Sequence, residues 1–376
     1  MNNWIEISAP NLTSNLHAIQ QTAESEVLAV VKANAYGHGA QICAPVLARA
    51  GARWLGVTSA EEGARVRHAL NQANLHADIL VMSGFLPADL PIIAAHKLVP
   101  VVWTLDHIAA LAGTDTRIHL EIDTGMGRQG APVDRQLDKL LETILHSDLI
   151  LDGLFTHLCS SEEANSQLTH LQQQRFEAAV IAADAYVLYP KYLHIANTSA
   201  VDNPVHPTHW LANLAASIGA RAMVRTGLAL YGYALPIEGD AQPHLRPSLK
   251  PVLTWLAAVL AVRTLAPGDT VGYNATFTAL HPMRAALLPV GYADGLRREL
   301  SGKPAGSGGW VMIHGQPCPI LGRISMNLTV VDITHLGEVL PGTPATILGP
   351  GITAEDHAAL ARTIPYEILC GIHPCG

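Results

Sequence analysis

The sequence predicts an α/β chain, a (β/α)8 TIM-like barrel over residues 1–236 followed by a mainly antiparallel β domain over 237–376. Two observations carry that prediction. Eight apolar, strand-like runs alternate with helically spaced stretches over about 230 residues, which is the size of a closed parallel barrel. After Tyr231 the texture changes, and strand signals are separated by turns instead of helices.

The eight runs fall at 27–31 (VLAVV), 54–58 (WLGVT), 79–83 (ILVMS), 99–103 (VPVVW), 118–122 (IHLEI), 150–157 (ILDGLFTH), 192–196 (YLHIA) and 221–225 (RAMVR). Short apolar runs with β-branched centres, bounded by Gly or polar turns, read as buried strands. Helical spacing connects them at 60–70, 133–147 and 163–188. Parallel strands with helical crossovers follow from the alternation. A doubly wound open sheet of similar length is the alternative.

Glu238–Pro243 reads as a linker. Beyond it, strands are expected within Leu253–Leu265, Ala285–Val290, Trp310–His314, Ile320–Ile333 and Ala345–Leu348, with a short helix near 354–362. The opening Trp4–Ile7 also reads as a strand and can pair with either domain.

Composition excludes several functions. The net charge is −8 and there is no Lys/Arg-rich run, which argues against nucleic acid and anionic membrane surfaces as partners. Apolar residues make up 49% of the chain, yet no uninterrupted stretch approaches the roughly 20 needed to span a bilayer. The opening residues lack the basic and apolar regions of a secretory signal. The five cysteines are odd in number and show no Cys-x-x-Cys, which suits a reducing cytoplasm. No metal site is expected: His206 and His209 are three apart but lack a completing ligand set.

In a (β/α)8 barrel, chemistry gathers at the C-terminal strand ends. The polar residues there are Lys32, Tyr36, Asp123, Arg128, His157, Asn197, Thr198 and Arg225. Lys32 closes an apolar strand, where an amine can be partly desolvated and act as a nucleophile toward carbonyls or as a base. With two arginines, a histidine and small hydroxyl and amide groups, the rim forms an anion-binding, carbonyl-reactive site. Singly, each residue also fits an ordinary loop or core position.

The segment Ala29-Val30-Val31-Lys32-Ala33-Asn34-Ala35-Tyr36-Gly37-His38-Gly39 resembles the pyridoxal-phosphate attachment segment of the alanine racemase family. Similar segments follow in order along essentially the whole chain. They are Asp123–Arg128, Thr156-His157, His194–Ser199, Val224–Gly232, Val271–Thr276, Gly291–Gly295, Gly322–Asn327 and Pro365–Cys370.

The resemblance implies a pyridoxal 5'-phosphate-dependent amino-acid racemase acting on a small-molecule amino acid, with L- and D-alanine as the expected pair. It further implies a cytoplasmic homodimer with shared active sites that supplies D-alanine for peptidoglycan. Lys32 would hold the cofactor covalently and serve as one base, and Tyr273, reaching in from the partner subunit, would be the other. Arg225 would pair with the pyridine nitrogen. Tyr36, Thr198, Tyr366 and the backbone of Gly227 and Leu228 would take the phosphate. Asn197 belongs to the same cofactor-binding set, and His157 would stack on the ring. Arg128 would contact the cofactor's phenolic oxygen, while Tyr292 and Met326 would help hold the substrate carboxylate. Arg298 and Arg323 fit an entrance corridor. A serine or broad-specificity racemase of the same build is the alternative, with a decarboxylase of related fold less favoured.

Two positions depart from the family pattern. Glu121 stands where members commonly carry a carbamylated lysine that orients the arginine at 128, and Asn327 stands where many have aspartate. A glutamate supplies a carboxylate without carbon dioxide, at shorter reach. Gly125-Met126-Gly127-Arg128-Gln129-Gly130 also spells a dinucleotide fingerprint, but in the fifth strand–helix unit with Pro132 close behind it.

Overall fold

A computed structural model describes residues 2–133, 135–205, 208–239, 241–302 and 308–374. His206, Asp240 and Cys375 lie outside the described residues. The chain divides into two compact units, one of residues 9–250 and one of residues 1–8 with 251–376.

The 9–250 unit is a closed parallel barrel. Its strands are β2 (Glu26–Val30), β3 (Trp54–Val57), β4 (Asp78–Val81), β5 (Val99–Val102), β6 (Arg117–Asp123), β8 (Ile150–Phe155), β9 (Tyr192–His194) and β10 (Arg221–Thr226). A short β1 (Asn3–Ile7) precedes them, and a two-residue β7 (Ala131–Pro132) sits beside β6. Each barrel strand pairs in parallel with the next, and β10 returns to β2 with Arg225 opposite Leu28 and Thr226 opposite Ala29. Helices cover the outside, among them Ala60–Gln72, started by the Ser59 side chain accepting from Glu62 N, and Gln167–Ala185, started likewise by Ser166. The fingerprint-like glycines lie in the loop after β6. They lead into β7 and not into a helix, so the phosphate-binding helix start of a dinucleotide fold is not formed.

The other unit is antiparallel. Its five-stranded sheet contains β1, β11 (Leu253–Ala258), β16 (Trp310–Ile313), β17 (Gln316–Pro319) and β19 (Pro344–Leu348). A three-stranded sheet joins β12 (Ala261–Leu265), β15 (Met283–Leu288) and β18 (Thr329–Asp332), and β13 (Thr270–Val271) pairs with β14 (Phe277–Thr278). Trp4–Ile7 thus pairs with β11, Ile5 opposite Trp255. The expected strand Ile320–Ile333 is instead interrupted by a loop before β18, where Gly322 takes a left-handed φ of 65°. The helix near 354–362 forms as Ala354–Ala361, capped by Thr353.

Cys43, Cys159 and Cys318 are free thiols. Among the described residues, no helix is long and apolar enough to cross a membrane.

Candidate active site

Lys32 stands one residue beyond β2, and the backbone behind it is unusual. Ala33, Asn34, Ala35 and Tyr36 all have positive φ, between 50° and 56°, forming one left-handed turn without a glycine. For L-residues that conformation costs about 1–2 kcal/mol each. Neighbouring groups hold it: Ala33 N donates to Glu62 Oε1 at 2.8 Å, Ala40 N to Asn34 Oδ1 at 2.9 Å, and Ala35 N to Val31 O at 2.9 Å. His38 is fully buried against the Tyr36 carbonyl at 2.8 Å and against the Tyr231 ring. Strain of this kind persists only where surrounding structure over-determines it.

The turn delivers the Tyr36 phenol to the end of the adjacent strand β10. A Cβ at Gly227 would overlap the Tyr36 hydroxyl, so only glycine fits there. Gly227 N and Ala229 N both approach the buried Thr198 Oγ1 at 3.4 Å. Leu228 is buried, and Tyr231 Oη donates to Val30 O at 2.9 Å, tying this segment back to β2. Asn197 caps the helix that opens with Thr198, its Oδ1 accepting from Ala200 N at 2.9 Å, while its Nδ2 donates to Leu158 O at 3.4 Å. Tyr36, Thr198, Gly227 and Leu228 are therefore brought together, with Asn197 as the support beneath Thr198.

Arg225 is buried inside the barrel. Nη1 donates to His194 Nδ1 at 2.9 Å and His194 O at 3.0 Å, and Nη2 donates to Thr156 O at 2.7 Å and His157 Nδ1 at 3.0 Å. Its guanidinium lies 4.8 Å from the Phe155 ring centroid. Four donors are thereby used, and Nε–H makes no hydrogen bond among the described residues. Burial lowers the Arg225 pKa to about 10, which leaves it charged at neutral pH. His157 is held well below the usual histidine range by burial and then by the fields of Arg225, Arg128 and Lys32. All three cations lie near enough to act on His157.

Glu121 is buried, its pKa raised chiefly by burial. Its carboxyl accepts from Gln129 Nε2, which also donates to Met82 O at 2.8 Å. No ion pair joins it to Arg128, whose side chain is exposed on the loop after β6. The Glu121 carboxyl is thus held by the Gln129 amide, and Arg128 acts on it only through its charge.

The remaining candidates lie in the antiparallel unit. Tyr273 is 65% exposed on the turn between β13 and β14, where Gly272 packs against the Arg323 backbone. Tyr292 N donates to Ser325 O at 3.1 Å and Ala293 N to Met326 O at 2.9 Å, which sets Tyr292 beside Met326. Tyr366 sits on the helix Pro365–Cys370, whose following Gly371 packs against Gly295.

Sequence reasoning missed Gln129, His119, Asp152 and any role for His194. The alternation Arg117-x-His119-x-Glu121-x-Asp123 was the available signal, since it puts every polar residue on one face of β6.

A parallel barrel with a lysine, a hydroxyl-and-amide cradle and a buried cation at adjacent strand ends is the architecture of a (β/α)8-barrel enzyme, with its polar groups gathered at the C-terminal strand ends. The family model described as "Alanine racemase, N-terminal domain" matches residues 7–235, and "Alanine racemase, C-terminal domain" matches 252–375. An alanine racemase of Symbiobacterium thermophilum is 34% identical, with 98% of this chain and 94% of that protein covered. Among solved structures, alanine racemase from Streptomyces coelicolor has a TM-score of 0.83 at 30% identity, covering 99% of this chain and 96% of that one. A Bartonella henselae alanine racemase with covalently bound pyridoxal phosphate has a TM-score of 0.80 at 28% identity, covering 100% and 98%. The chain belongs to the alanine racemase family and is an enzyme of the isomerase class.

Its residues fit a phosphorylated pyridine. The cradle offers two hydroxyls and backbone amides, with the Gly227 Cβ position taken by a phenol, and the spare Arg225 Nε–H is a donor that cannot lose its proton at working pH.

Proposed function

We propose that the chain interconverts L- and D-alanine with pyridoxal 5'-phosphate, as a homodimer with shared active sites. The observation that carries this proposal is Arg225, whose Nη donors are all engaged while Nε–H is spare. A permanently charged donor suits an unprotonated pyridine nitrogen, which makes a weaker electron sink. A related decarboxylase would favour an acid at this position.

The bound cofactor supplies an electron sink that lets the substrate Cα–H leave as a proton. Lys32 would hold it covalently, and Tyr36, Thr198, Tyr366 and the amides of Gly227 and Leu228 would take its phosphate. Asn197 keeps Thr198 in place, and His157 would stack on the ring. Arg128 would meet the phenolic oxygen, and Tyr292 and the Met326 backbone would take the substrate carboxylate. Lys32 Nζ moves the proton on one face of Cα, and Tyr273 Oη of the partner subunit moves it on the other. Two faces must be served for inversion. Residues 9–250 would serve as the cofactor-binding domain, and the unit of residues 1–8 with 251–376 as the one contributing Tyr273. We place the enzyme in the cytoplasm, supplying D-alanine for peptidoglycan. Serine adds a single hydroxyl to alanine's methyl, a difference an apolar pocket rejects by only about 1–3 kcal/mol, so slow turnover of serine is expected.

The test is incubation with L-alanine in deuterated water, following Cα deuterium uptake and D-alanine together. Wild type yields both, and Lys32→Ala and Tyr273→Phe lose D-alanine. Exchange without inversion in wild type would remove Tyr273 from its role. Turnover of serine alone would overturn the substrate.

A further inference from the structure

Below Arg225 the barrel interior holds a continuous polar line. His194 Nε2 lies 2.8 Å from His119 Nδ1, both imidazoles being fully buried. His119 Nε2 lies 3.8 Å from Asp152 Oδ2, an electrostatic contact longer than a hydrogen bond. Asp152 in turn meets Arg117 at 2.6 Å and Lys191 at 3.4 Å, and Arg117 also pairs with Asp78 at 2.8 Å. Arg117 and Asp78 begin their strands, and Lys191 directly precedes β9, so the line runs from the opposite end of the barrel to Arg225.

The line has one possible direction. A guanidinium only donates, so His194 Nδ1, bonded to Arg225 Nη1, must be the bare nitrogen. Neutral His194 then carries its proton on Nε2 and donates to His119 Nδ1. His119 likewise carries its proton on Nε2, facing the Asp152 carboxylate. Burial first, then the Arg225 field, keeps the His194 pKa well below the usual range. The His119 pKa is lowered chiefly by burial, against the pull of Asp152. The rings are fitted to these places. Phe155 stacks on His194 at 4.5 Å, Trp54 lies 5.0 Å from His119, and a Cβ at Gly153 would overlap the His119 ring.

We infer that Asp152, His119 and His194 are positioning residues that orient Arg225 from the far end of the barrel, by locking both imidazoles as Nε2–H tautomers so that His194 Nδ1 always accepts from the guanidinium. The inference rests on the role given to Arg225 above, but its test does not require turnover.

The experiment is nitrogen-15 NMR of histidine-labelled wild-type protein at neutral pH, with the two rings assigned from His119→Gln and His194→Gln. The expected result is a bare Nδ1 and a protonated Nε2 in both. A protonated Nδ1 on His194, or an imidazolium at either site, overturns the inference even if the chain racemises alanine. Activity then adds a second readout. In His119→Leu, kcat falls about tenfold with KM within twofold, and His119→Gln, which keeps an acceptor for His194, recovers most of it. Equal kcat in the Leu and Gln variants would also overturn it. Should the Leu variant fail to fold, the wild-type spectrum decides alone, and failure of alanine turnover with both tautomers as expected would fault the proposed reaction and leave the locked line standing.

Discussion

Replacing Ala33 by glycine should make the barrel more stable, against the usual effect of a glycine. Ala33 has φ 50° and ψ 49°, is exposed, and contributes its N–H to Glu62, a bond glycine keeps. Relief of the left-handed penalty is worth about 1–2 kcal/mol, and the extra freedom of glycine in the unfolded chain costs about 0.5–1 kcal/mol. The net is a gain of about 0.5–1 kcal/mol. Ala35 is an internal control, with the same backbone but a fully buried methyl. Losing that methyl costs about 0.8 kcal/mol, so Ala35→Gly should come out near neutral. Equilibrium urea unfolding of the cofactor-free protein, following the transition of the 9–250 unit, measures both. A loss of 1 kcal/mol or more in Ala33→Gly would show that the turn is not strained at this residue.

Acid should weaken the same unit. Burial lowers the His38 pKa to about 4, so the fold holds it neutral while the unfolded chain takes a proton below its ordinary 6.5. Its contribution is complete above pH 6.5 and is lost as pH falls toward 4, about 2 kcal/mol by pH 5. Urea midpoints at pH 7 and pH 5 should drop less in His38→Gln than in wild type, and equal drops would refute this. Gly227→Ala drives a methyl into the Tyr36 phenol and should weaken pyridoxal-phosphate binding at least tenfold in an absorbance titration; unchanged affinity would take Tyr36 out of the cradle. Adding bicarbonate should leave turnover unchanged because Glu121 needs no carbamylation, and a boost would contradict that.

The barrel was legible because its strands are short apolar runs with helical stretches between them, and all eight appear within a residue or so of the expected starts. The rim residues followed from strand-end geometry. The left-handed turn was hidden, since Ala-Asn-Ala-Tyr carries no glycine and its conformation is imposed by Glu62 and the packing of His38. Gln129 was missed because its bond to Glu121 depends on how the loop after β6 folds back. The polar face of β6 was written in the sequence, but a barrel interior is ordinarily filled by branched apolar side chains, so its charges invited assignment to the rim alone. The pairing of β1 is a contact between distant parts of the chain, which no local pattern specifies.

That pairing has a consequence for biosynthesis. β1 leaves the ribosome roughly 250 residues before β11, its neighbour in the sheet. At 5–20 residues per second the wait is about 12–50 s. Through that interval Trp4, Ile5 and Ile7 belong to a strand whose backbone donors and acceptors have no native partner, while the barrel strands emerge in turn and pair with one another. A segment so exposed is open to chaperones and to other unpaired edges. Expression yield should therefore respond to polar or proline substitutions in residues 3–7 more steeply than the equilibrium stability of the finished protein does.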